Sequence, residues 1–224
     1  MTEKRIKIIA CEVMKDEIKS ILPPHGTDIE FINMGYHLYP QKLRHELQNI
    51  INRSRGYERI VLAFGLCGGA AHGLKSDDSI LTIPRTHDCI SFFLCEENRH
   101  VYTYEKEMGV FYLTTGWMIA EKSIISDYIR LKEKYGEEKA ENLFHRMYDS
   151  YQMILFIKTG CPDEQQSIED SRRIATLLNA NHEIIENRSP FFRKIAAGPW
   201  NDKEFIHAMP GESISEDAFM VNVR

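Results

Sequence analysis

No CxxC pair, no surplus of basic residues and no apolar run long enough to cross a membrane occur in this chain of 224 residues, and each absence removes a class of function. Lys and Arg together number 28 against 33 Asp and Glu, so the net charge is -5 and the electrostatic footprint of a nucleic-acid binder is missing. Nucleic acid is not an expected partner. The first apolar run is short and is broken by Glu12 and Lys15, which fits neither a signal peptide nor a membrane span. The expected location is the cytoplasm, with no membrane partner. Five cysteines is an odd number, and a chain of this size does not need disulfide staples. Its thiols are therefore left for metal or catalysis. Dinucleotide and Walker fingerprints, a serine nucleophile elbow, a zincin helix and the kinase motif set are all missing as well.

What is present is a regular alternation of strand and helix. Arg5 to Ala10 is an apolar-rich strand that stops at Cys11 and Glu12, followed by a helical pattern over Met14 to Leu22 that Pro23 and Pro24 end. Thr27 to Asn33 alternates as a second strand. Pro40 opens a helix whose apolar stripe is Leu43, Leu47, Ile50 and Ile51, with His37 in the preceding turn. Arg59 to Phe64 is a continuous apolar run, the pattern of a strand covered on both faces, and it opens into the glycine-rich loop GLCGG from Gly65 to Gly69. A fourth strand, Ser79 to Ile83, precedes Thr86, His87, Asp88 and Cys89, with Thr86 or Asp88 expected to cap a short helix over Ile90 to Leu94.

Val110 to Leu113 reads as a fifth strand, Thr114 to Trp117 as a loop, and Glu121 to Tyr148 as helix broken at Gly136. Met153 to Lys158 is a sixth strand ending before Cys161 and Pro162, and Asp163 to Leu178 is helical. Weaker strands near Glu183 to Ile185 and Glu204 to Ile206 follow. This order predicts an α/β fold with a mostly parallel, doubly wound, Rossmann-like sheet flanked by helices. Residues 1–224 are expected to form a single domain, in which 180–224 adds an edge strand or folds over the site.

In such folds ligands bind outside the carboxyl ends of the strands. Those ends carry Cys11, His37, Cys67 and the His87/Cys89 pair. Zinc favours thiolate and imidazole in a tetrahedral shell, and three protein ligands with one open position make the usual catalytic centre. Cys11, Cys67 and Cys89, with His87 or His37 supplementing or replacing one of them, offer that set. The plainer alternative is that cysteine packs as a small hydrophobe, as Cys95 after Phe92, Phe93 and Leu94 is expected to do.

Asp88 and Glu12 are the candidate acid–base groups, Asp88 also serving to orient an imidazole. Gly65 and Gly68 are expected either to present amides to an anion or to let the backbone bring Cys67 close to a metal. Thr114, Thr115 and Trp117 are candidate substrate contacts, and Arg85 a partner for an anionic substrate group. Cys161 ranks below the other cysteines, because its strand can lie far from the first.

The segments Ala10 to Glu12, His37 with Pro40 and Leu43, Phe64 to Gly68, Pro84 to Ile90 and Tyr112 to Trp117 together resemble the family catalogued as domain of unknown function 1638. The resemblance runs over roughly residues 5 to 160 and carries no established activity. It implies an anaerobic setting in which corrinoid-dependent methyl transfer is frequent. A small-molecule substrate, a thiol or a methyl donor, and a corrinoid methyltransferase system are the partners it suggests.

Two functions follow as expectations. In the first, zinc holds a substrate thiol as a thiolate for alkyl or methyl transfer in one-carbon or sulfur metabolism. In the second, the protein is a non-catalytic accessory that carries an iron–sulfur cluster or delivers metal or corrinoid. A third, metal-free arrangement would use Cys67 or Cys89 as nucleophile with His87 as base.

Overall fold

The computed structural model describes residues 5–21, 23–94, 109–187 and 190–220. Leu22 and Cys95 lie outside the described residues, and so do the expectations placed on them. In chain order the first elements are β1 (Ile6–Cys11), α1 (Lys15–Ser20), β2 (Thr27–Ile32), α2 (Pro40–Arg53), β3 (Arg59–Ala63), β4 (Ile80–Pro84) and α3 (Ile90–Phe93). They are followed by β5 (Val110–Leu113), α4 (Thr115–Ile119), α5 (Ile124–Tyr135), α6 (Glu137–Met147), β6 (Met153–Lys158) and α7 (Glu164–Leu178). The chain ends with β7 (Asn181–Glu186), α8 (Phe191–Ala197) and β8 (Phe205–Ala208). Single 3-10 turns occupy Glu12–Met14, Met34–Leu38 and Glu216–Phe219.

The strands form two sheets, where the sequence pattern suggests one continuous sheet. The larger has the order β2-β1-β3-β4-β8, with its first four strands parallel and β8 antiparallel at the edge. The smaller, β5-β6-β7, is parallel throughout. The chain divides correspondingly into two compact units, Met1–Phe92 with Pro190–Arg224, and Phe93–Ser189. The sequence reading of one domain does not draw this division.

In the first unit the apolar stretches of β1 and β3 are buried on both faces: Ile8, Ile9, Ala10, Ile60, Val61, Leu62 and Ala63 are all fully buried. The stripe Leu43, Leu47, Ile50 and Ile51 on α2 is buried as its spacing requires, each side chain contributing about 1.5–3 kcal/mol of burial. β8 pairs with β4 through Leu81 and Ala208, Thr82 and His207, Ile83 and Ile206, and Pro84 and Phe205, so the tail does supply an edge strand.

The strand order decides where a ligand can enter. From β1 the chain steps outward to β2, and from β3 it steps the other way to β4, so the connections reverse between β1 and β3. In open α/β sheets ligands bind outside the carboxyl ends of the strands at such a reversal.

The second unit packs its own core from Leu113, Met118, Ile124, Phe144, Ile154, Phe156, Ile168, Ile174, Ala175 and Leu178. Gly136 separates α5 from α6 with φ +79°, a left-handed conformation that glycine adopts without strain. Of the stretch Thr114 to Trp117, expected to be a loop, Thr115 to Trp117 begin α4 and Thr114 precedes it in extended conformation. Trp117 turns that way because its ring packs on Phe93, centroids 5.2 Å apart. No described helix is long and apolar enough to cross a membrane.

Candidate functional site

Three cysteines stand at the carboxyl edge of the first unit. Cys11 is the last residue of β1, Cys67 lies in the loop after β3, and Cys89 follows β4 just before α3. All are buried and none is in a disulfide.

The loops that carry them are knitted together by backbone. Leu66 N–H donates to Thr86 O and Cys67 N–H to His87 O, both at 2.9 Å, so the β3–β4 pairing continues past the sheet. Gly65 makes this approach possible: a Cβ there would sit 2.7 Å from Asp88 N and 2.8 Å from Thr86 O, closer than any side chain tolerates. Past it the chain runs through three consecutive left-handed residues, Cys67, Gly68 and Gly69, with φ +48°, +65° and +87°. Holding a cysteine there strains the backbone by about 1–3 kcal/mol, and such strain concentrates at functional sites.

The thiols lie close enough to act on one another. Burial pushes the Cys11 thiol up to about 11, with the adjacent Glu12 carboxylate adding to it and the Val13 and Glu12 amides opposing it. Burial likewise pushes Cys67 up to about 12; Cys11 and Asp88 raise it further, against a backbone hydrogen bond at Gly65. Cys89 is raised well above the ordinary thiol value, by burial first and then by Cys67, Cys11 and Asp88. Without a cation all three are neutral thiols at physiological pH. Among the described residues no group of three or more His, Cys, Asp and Glu side chains is already disposed as a metal shell. The three thiols are neighbours rather than a closed shell.

His37 sits on the 3-10 turn Met34–Leu38 and is exposed by area, yet enough protein surrounds its ring that desolvation lowers its pKa. The Asp88 carboxylate opposes that shift, which places His37 and Asp88 within electrostatic reach of each other. Asp88 also accepts a long 3.4 Å contact from Ser91 Oγ at the start of α3. His87 is exposed, and its carbonyl is the acceptor for the Cys67 amide. Glu12 has a positioning role: its Oε1 accepts from Met34 N–H at 2.7 Å, tying the end of β1 to the turn that carries His37.

Other sequence candidates are placed differently. Arg85 donates to the carbonyl oxygens of Asp202, at 2.8 Å, Phe205, at 3.2 Å, and Ala218, while its own amide donates to Glu204 O. Its guanidinium pins the tail rather than facing a ligand. Gly68 packs against α2, where a Cβ would lie 3.0 Å from Pro40 Cγ. Thr114, Thr115 and Trp117 belong to the second unit. There the Thr114 and Thr115 hydroxyl oxygens are buried without a hydrogen-bond partner.

One residue that the sequence reading passes over is Arg44. It stands one turn beyond Pro40 on α2, and its Nη2 donates to Gly69 O at 2.6 Å. Its only sequence signal is the spacing Pro40, Arg44, Gln48, a helix face that meets the segment after β3: Gln48 donates from Nε2 to Lys75 O and accepts from Lys75 N–H.

A family model described as a protein of unknown function, DUF1638, matches residues 31–195, more than half of the chain. The match includes His37, Arg44, Cys67 and Cys89, while Cys11 precedes it; its bounds lie further along the chain than the segments quoted from the sequence. No curated protein and no solved structure matches.

Proposed function

The chain belongs to the DUF1638 family, whose description names no activity, and on that premise we propose that Cys11, Cys67 and Cys89 hold a thiophilic divalent ion, zinc foremost, for thiol activation. The observation that carries this reading is the placement of three buried cysteines at or just past the carboxyl ends of three neighbouring parallel strands, β1, β3 and β4. Packing alone explains one buried cysteine; it does not explain three gathered at the edge where doubly wound sheets bind ligands.

Three protein ligands leave the fourth position of a tetrahedral ion open. A substrate thiol entering there would lose its S–H proton, which His37, held neutral by desolvation, is suited to accept, with Asp88 stabilising the imidazolium that forms. An ion held there would supply stabilisation of the thiolate, whose lone pair would form the bond to the alkyl carbon of a donor while the broken bond's pair left with the donor's own leaving group. A methyl-bearing corrinoid is a donor of that class. Glu12 contributes by holding the turn on which His37 rides.

Protein purified without oxygen and analysed for metals tests this directly. One zinc per chain is expected, with Cys67→Ser and Cys89→Ser lowering the content together. Stoichiometric metal that survives both changes, or no metal binding at all, overturns the reading. A colourless holo-protein separates it from an iron–sulfur or corrinoid carrier, both of which absorb visible light.

A further inference from the structure

The loop that carries Cys67 and the helix it meets hold three unused hydrogen-bond donors, one guanidinium N–H and two backbone amides. Arg44 Nη2 holds Gly69 O, but its Nε is buried with no hydrogen-bond partner, and among the described residues no carboxylate pairs with this guanidinium. The amides of Gly68 and Gly69 make none of the hydrogen bonds that knit the loop, although those of Leu66, Cys67, Ala70, Ala71 and His72 do. Gly68 is exposed and Gly69 partly so. Successive backbone amides in a turn, left without partners, are the groups from which a bound anion accepts.

A buried guanidinium N–H without an acceptor is unfavourable unless a ligand completes it, and an anion is the acceptor a cationic donor favours. Arg85, the other arginine near the strand ends, is already committed to tail carbonyls. We infer that Arg44, with the Gly68 and Gly69 amides, is an anion subsite beside the thiol cluster, so that the substrate is a thiol bearing an anionic headgroup such as a carboxylate. The inference rests on the thiol-activation reading for the sulfur end of that substrate. The headgroup end stands on Arg44 and the loop alone. A Cβ on Gly69 would lie 3.9 Å from Arg44 Nη2, an ordinary contact that places this residue beside the guanidinium, and its φ of +87° favours glycine.

The test uses cobalt-substituted protein and two thiols of equal length, 3-mercaptopropionate and 3-mercaptopropanol, titrated against the sulfur-to-cobalt charge-transfer band. The anionic thiol should bind about tenfold or more tightly, the discrimination that one charge-assisted pair supplies. Arg44→Gln should erase the preference, and Arg44→Lys, which keeps the charge and loses the fork, should restore part of it. Equal affinities in the unaltered protein, or a preference that survives Arg44→Gln, overturns the inference.

Should cobalt not load, the thiol-activation reading fails, and the subsite is then read without metal. Phenylglyoxal modification of Arg44, mapped by mass spectrometry, should be slowed by 3-mercaptopropionate and not by 3-mercaptopropanol. Equal protection by both, or none, overturns it.

Discussion

The two parallel sheets of this chain end in different chemistry. At the carboxyl edge of the first unit stand the buried Cys11, Cys67 and Cys89, with the β3 loop locked by the Leu66 and Cys67 amides to the segment Thr86 to His87. At the carboxyl edge of the second, Cys161 is only partly buried and accepts from Thr159 Oγ1 at 3.1 Å. There the amides of Thr159 and Gly160 both donate to Glu164 Oε1, at 2.7 and 2.9 Å, so the first turn of α7 satisfies the strand end from within the chain. A parallel sheet thus supplies a place for a site; whether the place can bind depends on which donors the fold has left uncommitted.

The sharpest way to break the comparison is to remove a thiol from each edge. Cys67→Ser should weaken zinc or cobalt binding by about a hundredfold or more, since it deletes a ligand where loss of a supporting contact alone reaches that range, whereas Cys161→Ser should leave it in place. Competition with a chromogenic chelator measures both. Equal effects would abolish the distinction between the two edges.

Gly65→Ala should destabilise the protein by about 3 kcal/mol and lower its metal content, because the added methyl meets Asp88 N and Thr86 O. Gly160→Ala in the second unit meets nothing within 4 Å, and its φ of +77° costs only about 1 kcal/mol. Urea unfolding monitored by circular dichroism would compare them.

Alkaline pH should act on the first edge. The Cys11 thiol ionises near 9 in the unfolded chain and at about 11 in the folded one. Between those values the unfolded state releases a proton that the native state keeps, so stability is complete below pH 9 and falls as pH rises towards 11, by roughly 2–3 kcal/mol for this group. Metal-free protein should therefore show a falling Tm above pH 9 that Cys11→Ser flattens. A Tm independent of pH between 9 and 11 would contradict the burial argument.

The smallest effect is expected in the second unit. Thr115 is 1% exposed and its hydroxyl oxygen has no partner. Thr115→Val keeps the shape and removes the unsatisfied group, so it should stabilise by about 1 kcal/mol. A loss of stability instead would show that the hydroxyl is satisfied by a ligand or water in solution.

Much of the first unit is legible in local sequence. The stripe of α2, the buried runs of β1 and β3 and the placement of cysteines just past strands all follow from short-range periodicity and from the rule that parallel strands align their carboxyl ends. Less is legible where partners come from far along the chain. Arg85 reads as a candidate for substrate, but its donors reach carbonyls more than a hundred residues away. Glu12 reads as an acid–base group, but its carboxylate meets the Met34 amide on the neighbouring loop. Helix α8, Phe191–Ala197, has too few residues, seven, for a periodic pattern to stand out; Phe191 is placed by stacking between Phe92 and Phe205.

The sequence by itself determined the alternation of strand and helix, the absence of a membrane-spanning helix among the described residues, and that thiols and imidazoles collect past strand ends, because those properties depend on residues within a few positions of one another. Only the tertiary structure decided that the strands form two sheets and that the connections reverse between β1 and β3. It also decided that Cys11, Cys67 and Cys89 are all buried and that Arg44 Nε is left without a hydrogen-bond partner. These depend on strand order, desolvation and long-range hydrogen bonding, and such quantities exist only once distant segments are packed together.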